Sequence, residues 1–206
     1  MKKLMLSLMF AAIATLAFAQ EKDNITSIDI NTKAPMTDVK MLDVSGENVS
    51  LKDAAKENGL LVIFSCNTCP FVINWEDRYL ELMKIAAQHN IGLIFINSNE
   101  AFRGDEDAYE AMQKHYKEKG YHSSYYVVDK DHQVADAFGA RTTPHVFLFN
   151  NDMSLVFKGA IDDNNKDATQ VEEHYLKDAI FNLINRKEIN PHTTKNLGCS
   201  IKRVKS

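Results

Sequence analysis

The sequence predicts an α/β sandwich with a mixed central sheet, and three observations carry that prediction. Short apolar runs that suit buried strands alternate with longer segments whose apolar residues recur every three or four positions. Residues 60–64 form an unbroken apolar run, which is typical of a strand buried on both faces. The alternation ends in two strands around a tight turn and a last helix, as expected when helices cover a central sheet.

The N-terminal half contains the predicted hairpin, two buried strands and an amphipathic helix. Turn residues at 45–48 define the hairpin, and Gly59 ends the short helix that follows it. The expected elements are a hairpin over 39–49, a helix over 51–58, a strand over 60–64, a helix over 69–89 and a strand over 91–96. The helix is assigned from apolar residues at helical spacing, which are Phe71, Trp75, Tyr79, Leu82, Met83 and Ala86.

The C-terminal half continues the alternation and finishes with a hairpin and a helix. Gly120 and Gly139 mark the ends of two helices, because glycine favours the residue just after a helix. The expected elements are helix 105–119, strand 125–128, helix 132–138, an antiparallel strand pair 146–149 and 155–157, and helix 171–185.

The first residues have the layout of a secretory signal peptide. Lys2 and Lys3 precede an apolar run over 4–18, and Ala-Phe-Ala at 17–19 forms a cleavage motif. The run is shorter than the roughly 20 residues that a membrane span requires. We therefore expect residues 1–19 to be removed and the product to be exported and soluble, in the periplasm if the cell has an outer membrane.

The remaining chain suits a single domain over 20–190, followed by a polar, basic tail over 191–206 that carries Cys199. We expect this tail to be loosely packed. Without the two lysines of the signal peptide, the 24 basic residues fall to 22 against 28 acidic ones. An acidic chain without a basic cluster is not expected to bind nucleic acid.

Cys66 and Cys69 form a Cys-x-x-Cys pair, a spacing that serves zinc, haem attachment and redox chemistry alike. No second ligand pair at zinc-finger spacing is present, and residue 70 is Pro where a haem site needs His. A pair between a buried strand and a helix suits disulfide exchange, because the positive end of the helix dipole stabilises a thiolate. We therefore expect Cys66, over the first helical turn, to be more exposed and more acidic than Cys69.

Three further interpretations concern the site. The alternative for Cys66 and Cys69 is a static structural disulfide. Such a bond would close so short a loop that it would add little to the stability of the fold. Cys199 is either an unused thiol or a partner that bonds transiently to Cys66 or Cys69. The histidines show no metal spacing, so we expect no metal and no organic cofactor, and only His145 is expected to touch the site.

Thr143 and Pro144 follow a short helix and precede a strand, in the pattern Val-Ala-x-Ala-Phe-Gly-Ala-x-x-Thr-Pro-x-x-x-Leu-Phe. Together with the Cys-x-x-Cys after the first buried strand, this pattern resembles the thioredoxin superfamily. The resemblance implies a thioredoxin-like three-layer sandwich, a cis bond before Pro144 and a substrate-docking edge at Thr143 and Pro144 beside the two cysteines.

Helix 105–119 and strand 125–128 resemble the insertion of the redoxin, AhpC/TSA-related, branch of that superfamily. Gly-Cys-Ser-Ile-Lys at 198–202 strengthens the resemblance to an exported bacterial redoxin group. Typical thioredoxins have Trp before the first cysteine and a buried acid on the preceding strand, whereas Ser65 stands here and no acid lies in that strand. Glu57 or water is then the expected proton relay, and the intervening Asn-Thr dipeptide leaves the direction of electron flow open.

The resemblance implies a thiol-disulfide oxidoreductase in which Cys66 attacks a protein disulfide and Cys69 releases it. The expected partners are a protein disulfide or thiol substrate and a membrane or exported redox partner. A peroxiredoxin-like peroxidase is the first alternative, but its Pro-x-x-x-Thr/Ser-x-x-Cys motif is absent before both cysteines. The second is a non-catalytic module that binds a partner at Thr143 and Pro144.

Overall fold

A computed structural model describes residues 25–204 of the chain, and nine short strands form its framework. The strands are β1 Met41–Asp43, β2 Asn48–Val49, β3 Leu60–Ser65, β4 Gly92–Asn97, β5 Tyr125–Val128, β6 Thr142–Thr143, β7 His145–Phe149, β8 Leu155–Gly159 and β9 Cys199–Ser200. The predicted signal peptide, residues 1–19, lies outside the described residues.

Five α-helices accompany these strands. They are α1 Leu51–Ala54, α2 Pro70–Gln88, α3 Tyr109–Lys119, α4 Gln133–Phe138 and α5 Tyr175–Ile184, and short 3₁₀ turns cover Glu100–Phe102, Lys130–His132 and Ala168–Gln170. Within residues 25–204, every helix is too short or too polar to cross a bilayer.

Most of the predicted elements are confirmed, but three helices are shorter than the sequence suggests. Helix α1 stops after one turn because the chain closes a bridge between Lys56 and Gly59. The segment before α3 is a 3₁₀ turn and loop whose Asp107 points inward. Residues 171–174, the predicted start of the last helix, are non-helical and follow a 3₁₀ turn at Ala168–Gln170.

Seven strands form one mixed sheet in the order β2-β1-β5-β4-β3-β7-β8. Strands β3, β4 and β5 are parallel, and the remaining pairs are antiparallel. Strand β3 lies between β4 and β7, and all six of its residues are buried. This arrangement places the end of β3, and the cysteine that follows it, at the centre of one edge of the sheet.

Helices cover both faces of the sheet, so the fold is a three-layer α/β sandwich. Side chains alternate along β3, with Leu61 and Ile63 in the core beneath α2, α3 and α5. Val62 and Phe64 point to the opposite core, beneath α1 and α4. The predicted mixed sheet, N-terminal hairpin and inserted helix and strand are therefore confirmed.

The C-terminal tail is not loosely packed, contrary to the expectation from its polar composition. Its strand β9 pairs with β6 in a separate two-stranded sheet, in which Thr143 lies opposite Cys199. The next residue, Ile201, is buried and donates its backbone N–H to the Arg141 carbonyl at 3.0 Å. The buried Ile201 side chain thus fixes the tail on the domain, although the polar residues around it in the sequence give no indication of this.

Candidate functional site

The two cysteines of the pair lie where β3 turns into α2. Cys66 follows the last residue of the strand, and Cys69 is the N-cap of the helix. Pro70 begins the helix, a position that suits proline because its missing N–H would have no partner there. The helix therefore begins at Cys69, as predicted, and Cys66 lies three residues before that N-cap.

Both cysteines are free thiols and both are buried, with 2% of Cys66 and 5% of Cys69 exposed. The expectation that Cys66 is the more exposed of the two is therefore wrong. Cover comes partly from Thr143, whose Oγ1 lies 3.3 Å from Cys66 Sγ. The Cys69 thiol donates to the carbonyl oxygen of the same threonine at 3.1 Å.

The bond between Thr143 and Pro144 is cis, as predicted, and it lies beside the two sulfurs. The structure therefore brings together the four residues Cys66, Cys69, Thr143 and Pro144, as the resemblance to the thioredoxin superfamily implies.

A buried carboxylate from the inserted segment holds the loop between the cysteines. Asp107 is fully buried and accepts hydrogen bonds from the Asn67 backbone N–H at 2.9 Å and from the side chains of Asn97 and Asn99 at 2.7 and 2.8 Å. The Asn67 side chain accepts a hydrogen bond from the Tyr126 hydroxyl at 2.8 Å. Asn67 thus anchors the loop on both its backbone and its side chain.

Asp107 is the acidic residue that the sequence analysis missed. Glu57, the acid considered there, is exposed beyond the opposite end of β3 and accepts a hydrogen bond from Asn90. His145 lies on the face of the sheet away from the sulfurs, with its ring 4.5 Å from that of Phe147. Burial lowers the pKa of His145 to about 3, so its imidazole is neutral at ordinary pH.

The two thiols of the pair act on each other, and this interaction separates their acidities. The Cys66 thiol, then the Cys199 thiol and the Val72 N–H, lower the pKa of Cys69 to about 5, against the opposing effect of burial. The hydrogen bond to Cys69, burial and the Asp107 carboxylate raise the pKa of Cys66.

The Thr143 carbonyl opposes a thiolate at Cys69, because a thiolate there would face a carbonyl oxygen. Three donors outweigh that single acceptor, so Cys69 is the more acidic sulfur. This order reverses the expectation from the sequence, because the helix begins at Cys69 and the Asp107 charge acts on Cys66.

Cys199 is the third sulfur of the site. Register in the small sheet places it opposite Thr143, whose carbonyl oxygen accepts from the Cys69 thiol, and it packs against the core cluster that contains Cys66 and Cys69. Burial, followed by the interaction with Cys69, raises the pKa of Cys199 to about 11. The sequence leaves open whether Cys199 bonds transiently to Cys66 or to Cys69, and in the structure the thiol that acts on it is that of Cys69.

Within the described part of the chain, no group of three or more His, Cys, Asp and Glu side chains is arranged to hold a metal ion. The polar atoms around the sulfurs already have protein partners, as the hydrogen bonds of Asp107 and Asn67 illustrate.

Solved structures with the same architecture come from several bacteria. An uncharacterized conserved protein from Geobacillus kaustophilus is 28% identical, with a TM-score of 0.80 over 86% of this chain and 94% of that one. A hypothetical protein from Sinorhizobium meliloti 1021 is also 28% identical, with a TM-score of 0.79 over 88% and 98% of the two chains.

A third structure shows the same fold at lower identity. The thioredoxin domain of a thiol-disulfide oxidoreductase from Bacteroides vulgatus is 21% identical, with a TM-score of 0.53 over 65% of this chain and 90% of that chain. A comparison with curated protein sequences gives no match.

The family model for the AhpC/TSA family matches residues 30–158, a span that includes both cysteines of the pair, Asp107 and the cis proline. The match covers well over half of the chain and agrees with the three-layer sandwich and the inserted segment described above. The chain therefore belongs to the AhpC/TSA family, in the redoxin branch of the thioredoxin superfamily.

Proposed function

We propose that the protein is a thiol-disulfide oxidoreductase that uses Cys66 and Cys69 as its exchanging pair. The observation that carries the proposal is the placement of two free thiols at the start of a helix, both in contact with Thr143 beside a cis proline. A thiolate poised beside a second thiol is what exchange chemistry requires.

In the reductive direction, the Cys66 thiol passes its proton along the hydrogen bond to the Cys69 thiolate. Cys66 sulfur then attacks a substrate disulfide, forms a mixed disulfide and displaces one substrate thiolate, which takes up the proton from Cys69. Cys69 thiolate attacks Cys66 sulfur and displaces the second substrate thiolate. One substrate disulfide becomes one thiol and one thiolate, which takes up a proton from water, and the Cys66–Cys69 pair becomes a disulfide.

The substrate in this proposal is an exported protein disulfide or thiol. The signal-like N-terminus supports export, and the backbone edge at Thr143 beside the sulfurs supports docking of an extended peptide once β9, which pairs with that edge in the structure, is displaced. A membrane or exported redox partner would reset the pair after each turnover, and no organic cofactor is required for this chemistry.

The reduction potential of the Cys66–Cys69 pair tests this function directly. We expect a value between about −120 and −270 mV in glutathione buffers, the range of exchange proteins. A potential below roughly −300 mV would indicate a static disulfide. A potential in the expected range without measurable reduction of a model protein disulfide would instead favour a binding module at Thr143 and Pro144.

A further inference from the structure

We propose that Cys199 is a third exchange thiol, which takes over the disulfide from the Cys66–Cys69 pair by bonding to Cys69. The place of this step in a catalytic cycle rests on the proposed function. The formation of the Cys69–Cys199 bond rests on the position of the C-terminal strand alone.

The tail is fixed on the domain by hydrogen bonds on both sides of β9. The backbone N–H of Lys202 donates to the Asn99 side chain at 2.9 Å, and its carbonyl accepts from the Ala101 N–H at 2.9 Å. Arg203 pairs with Asp136 at 2.7 Å. These contacts, together with the buried Ile201 side chain, hold Cys199 at a defined position beside the site.

Cys69 is the central sulfur of the three. Its thiol donates to the carbonyl of Thr143, whose hydroxyl lies 3.3 Å from Cys66 Sγ and which lies opposite Cys199 in the small sheet. The thiols of Cys66 and Cys199 both affect the pKa of Cys69. An exchange that moves a disulfide from the first pair to the second therefore needs a bond change at Cys69 only. Thiols in such contact have a very high effective concentration for each other.

Strand β9 also occupies the backbone edge that the thioredoxin resemblance assigns to a docked substrate. Cys199 lies opposite Thr143 there, as a substrate cysteine would. The close approach depends on Gly198, because a Cβ on that residue would lie 2.5 Å from the Thr143 carbonyl oxygen. The glycine next to the cysteine thus lets the tail lie against the residue that contacts both catalytic sulfurs.

The step itself needs no external oxidant or reductant. Cys199 thiolate attacks Cys69 sulfur, the Cys69–Cys199 bond forms as the Cys66–Cys69 bond breaks, and Cys66 leaves with the electron pair as a thiolate that takes up the proton lost by Cys199. The number of disulfides is unchanged. The disulfide then includes Cys199, which is half-buried, in place of Cys66, which is only 2% exposed.

The first test uses the variant Cys66→Ser, which keeps only Cys69 and Cys199. After full reduction and exposure to oxidised glutathione, acid quenching and mass spectrometry should show an intramolecular 69–199 disulfide. The matched control is Cys69→Ser, which keeps Cys66 and Cys199. We expect about tenfold more intramolecular disulfide in the first variant, because only that variant retains two thiols already in contact. Equal amounts, or Cys199 carrying glutathione alone in Cys66→Ser, would overturn the proposal.

The second test uses the wild-type chain, so that folding of a variant does not decide the result. Limited oxidation should give a mixture of 66–69 and 69–199 disulfides that equilibrate with each other, and Cys199→Ser should give the 66–69 disulfide alone. A wild-type protein that reduces substrate disulfides but never forms the 69–199 bond would refute this inference and leave the proposed function standing. Formation of that bond without any substrate reduction would support the inference and refute the function.

Discussion

The Asp107 carboxylate accepts a hydrogen bond from the backbone N–H of Asn67 at 2.9 Å, although the two residues lie forty positions apart. Through this contact the inserted segment holds the loop that separates the two cysteines. The same carboxylate places a negative charge near Cys66 and raises the pKa of that thiol. The insertion is therefore part of the site and not an addition on its surface.

Replacement of Asp107 by Asn tests this relationship. Asn offers one acceptor oxygen where the carboxylate has two, so at least one of its buried amide donors loses its partner. We expect the free energy of unfolding of the reduced protein to fall by about 1–3 kcal/mol, as for a buried hydrogen-bonding group left unpaired. Loss of the charge should also lower the pKa of Cys66.

Urea unfolding and the pH dependence of alkylation measure these two effects. Asp105→Asn is the matched control, because Asp105 is an exposed acid in the same segment and its replacement should change stability by less than about 0.5 kcal/mol. Equal effects of the two substitutions would contradict the anchoring role of Asp107.

The sequence predicts most of the fold because its strongest local signals agree with the tertiary structure. The apolar run 60–64 is a strand at the centre of the sheet, and the spacing of apolar residues over 69–89 corresponds to α2. The positions of Cys66, Cys69, Thr143 and Pro144 at the ends of such elements bring the four residues together. Local pattern places the two cysteines between a strand and a helix, whereas the cis bond and the position of Thr143 and Pro144 beside the sulfurs follow from the resemblance to the thioredoxin superfamily.

Two features of the site were beyond the reach of sequence patterns. Asp107 lies among exposed acids in a charged segment, and nothing in its neighbours indicates that it is fully buried. Strand β9 has only two residues and lies in a polar tail. It forms because β6, which is distant in the sequence, supplies its hydrogen-bonding partner. Both features depend on contacts between segments that are distant in the sequence. The spacing of apolar residues gives no information about such contacts.

The thiolate of the reduced site should persist to unusually low pH. With the pKa of Cys69 at about 5 in the fold and 9.0 ordinarily, titration by thiolate absorbance should show one ionised sulfur per molecule near neutral pH, lost as the pH falls through about 5. Since the folded value is the lower one, this ionisation stabilises the reduced fold fully above about pH 9. That contribution is lost by about pH 5.

The partners of Cys69 can be ranked by the same titration. Cys66→Ala removes the hydrogen bond that lowers the pKa of Cys69 most, and Cys199→Ala removes a weaker one. We expect both variants to raise that pKa, the first by more than the second. A larger rise in Cys199→Ala, or no rise in either, would show that another group holds the thiolate.

Gly198→Ala should loosen strand β9 from the site. The new methyl group would lie 2.5 Å from the Thr143 carbonyl oxygen, so the strand must shift. If the packing of β9 is weakened by about 1–2 kcal/mol, the form in which β9 is detached from the site becomes roughly tenfold more populated. The alkylation rate of the buried thiols should rise by the same factor. Gly104→Ala is the control, because no atom lies within 4 Å of a Cβ at that glycine. An unchanged alkylation rate in Gly198→Ala would mean that β9 does not cover the sulfurs.

The last prediction concerns the division of labour between Cys66 and Cys69. If Cys66 attacks the substrate, Cys69→Ser keeps that attack but loses the thiol that releases the product, so mixed disulfides should accumulate. Cys199 does not relieve this block, because its hydrogen bond in the structure is with residue 69. Cys66→Ser should trap almost nothing, since the attacking sulfur is gone and the remaining two thiols pair with each other.

The measurement is the amount of a model disulfide peptide that each purified variant retains and that a reductant then releases. Urea unfolding at the pH of the assay checks that both variants are folded, and Cys69→Ser should be less stable than the reduced wild-type protein because it loses the stabilising ionisation of Cys69. That comparison excludes misfolding as the cause of a difference. Greater trapping by Cys66→Ser than by Cys69→Ser would assign the attack to Cys69, whose thiolate is already formed near neutral pH.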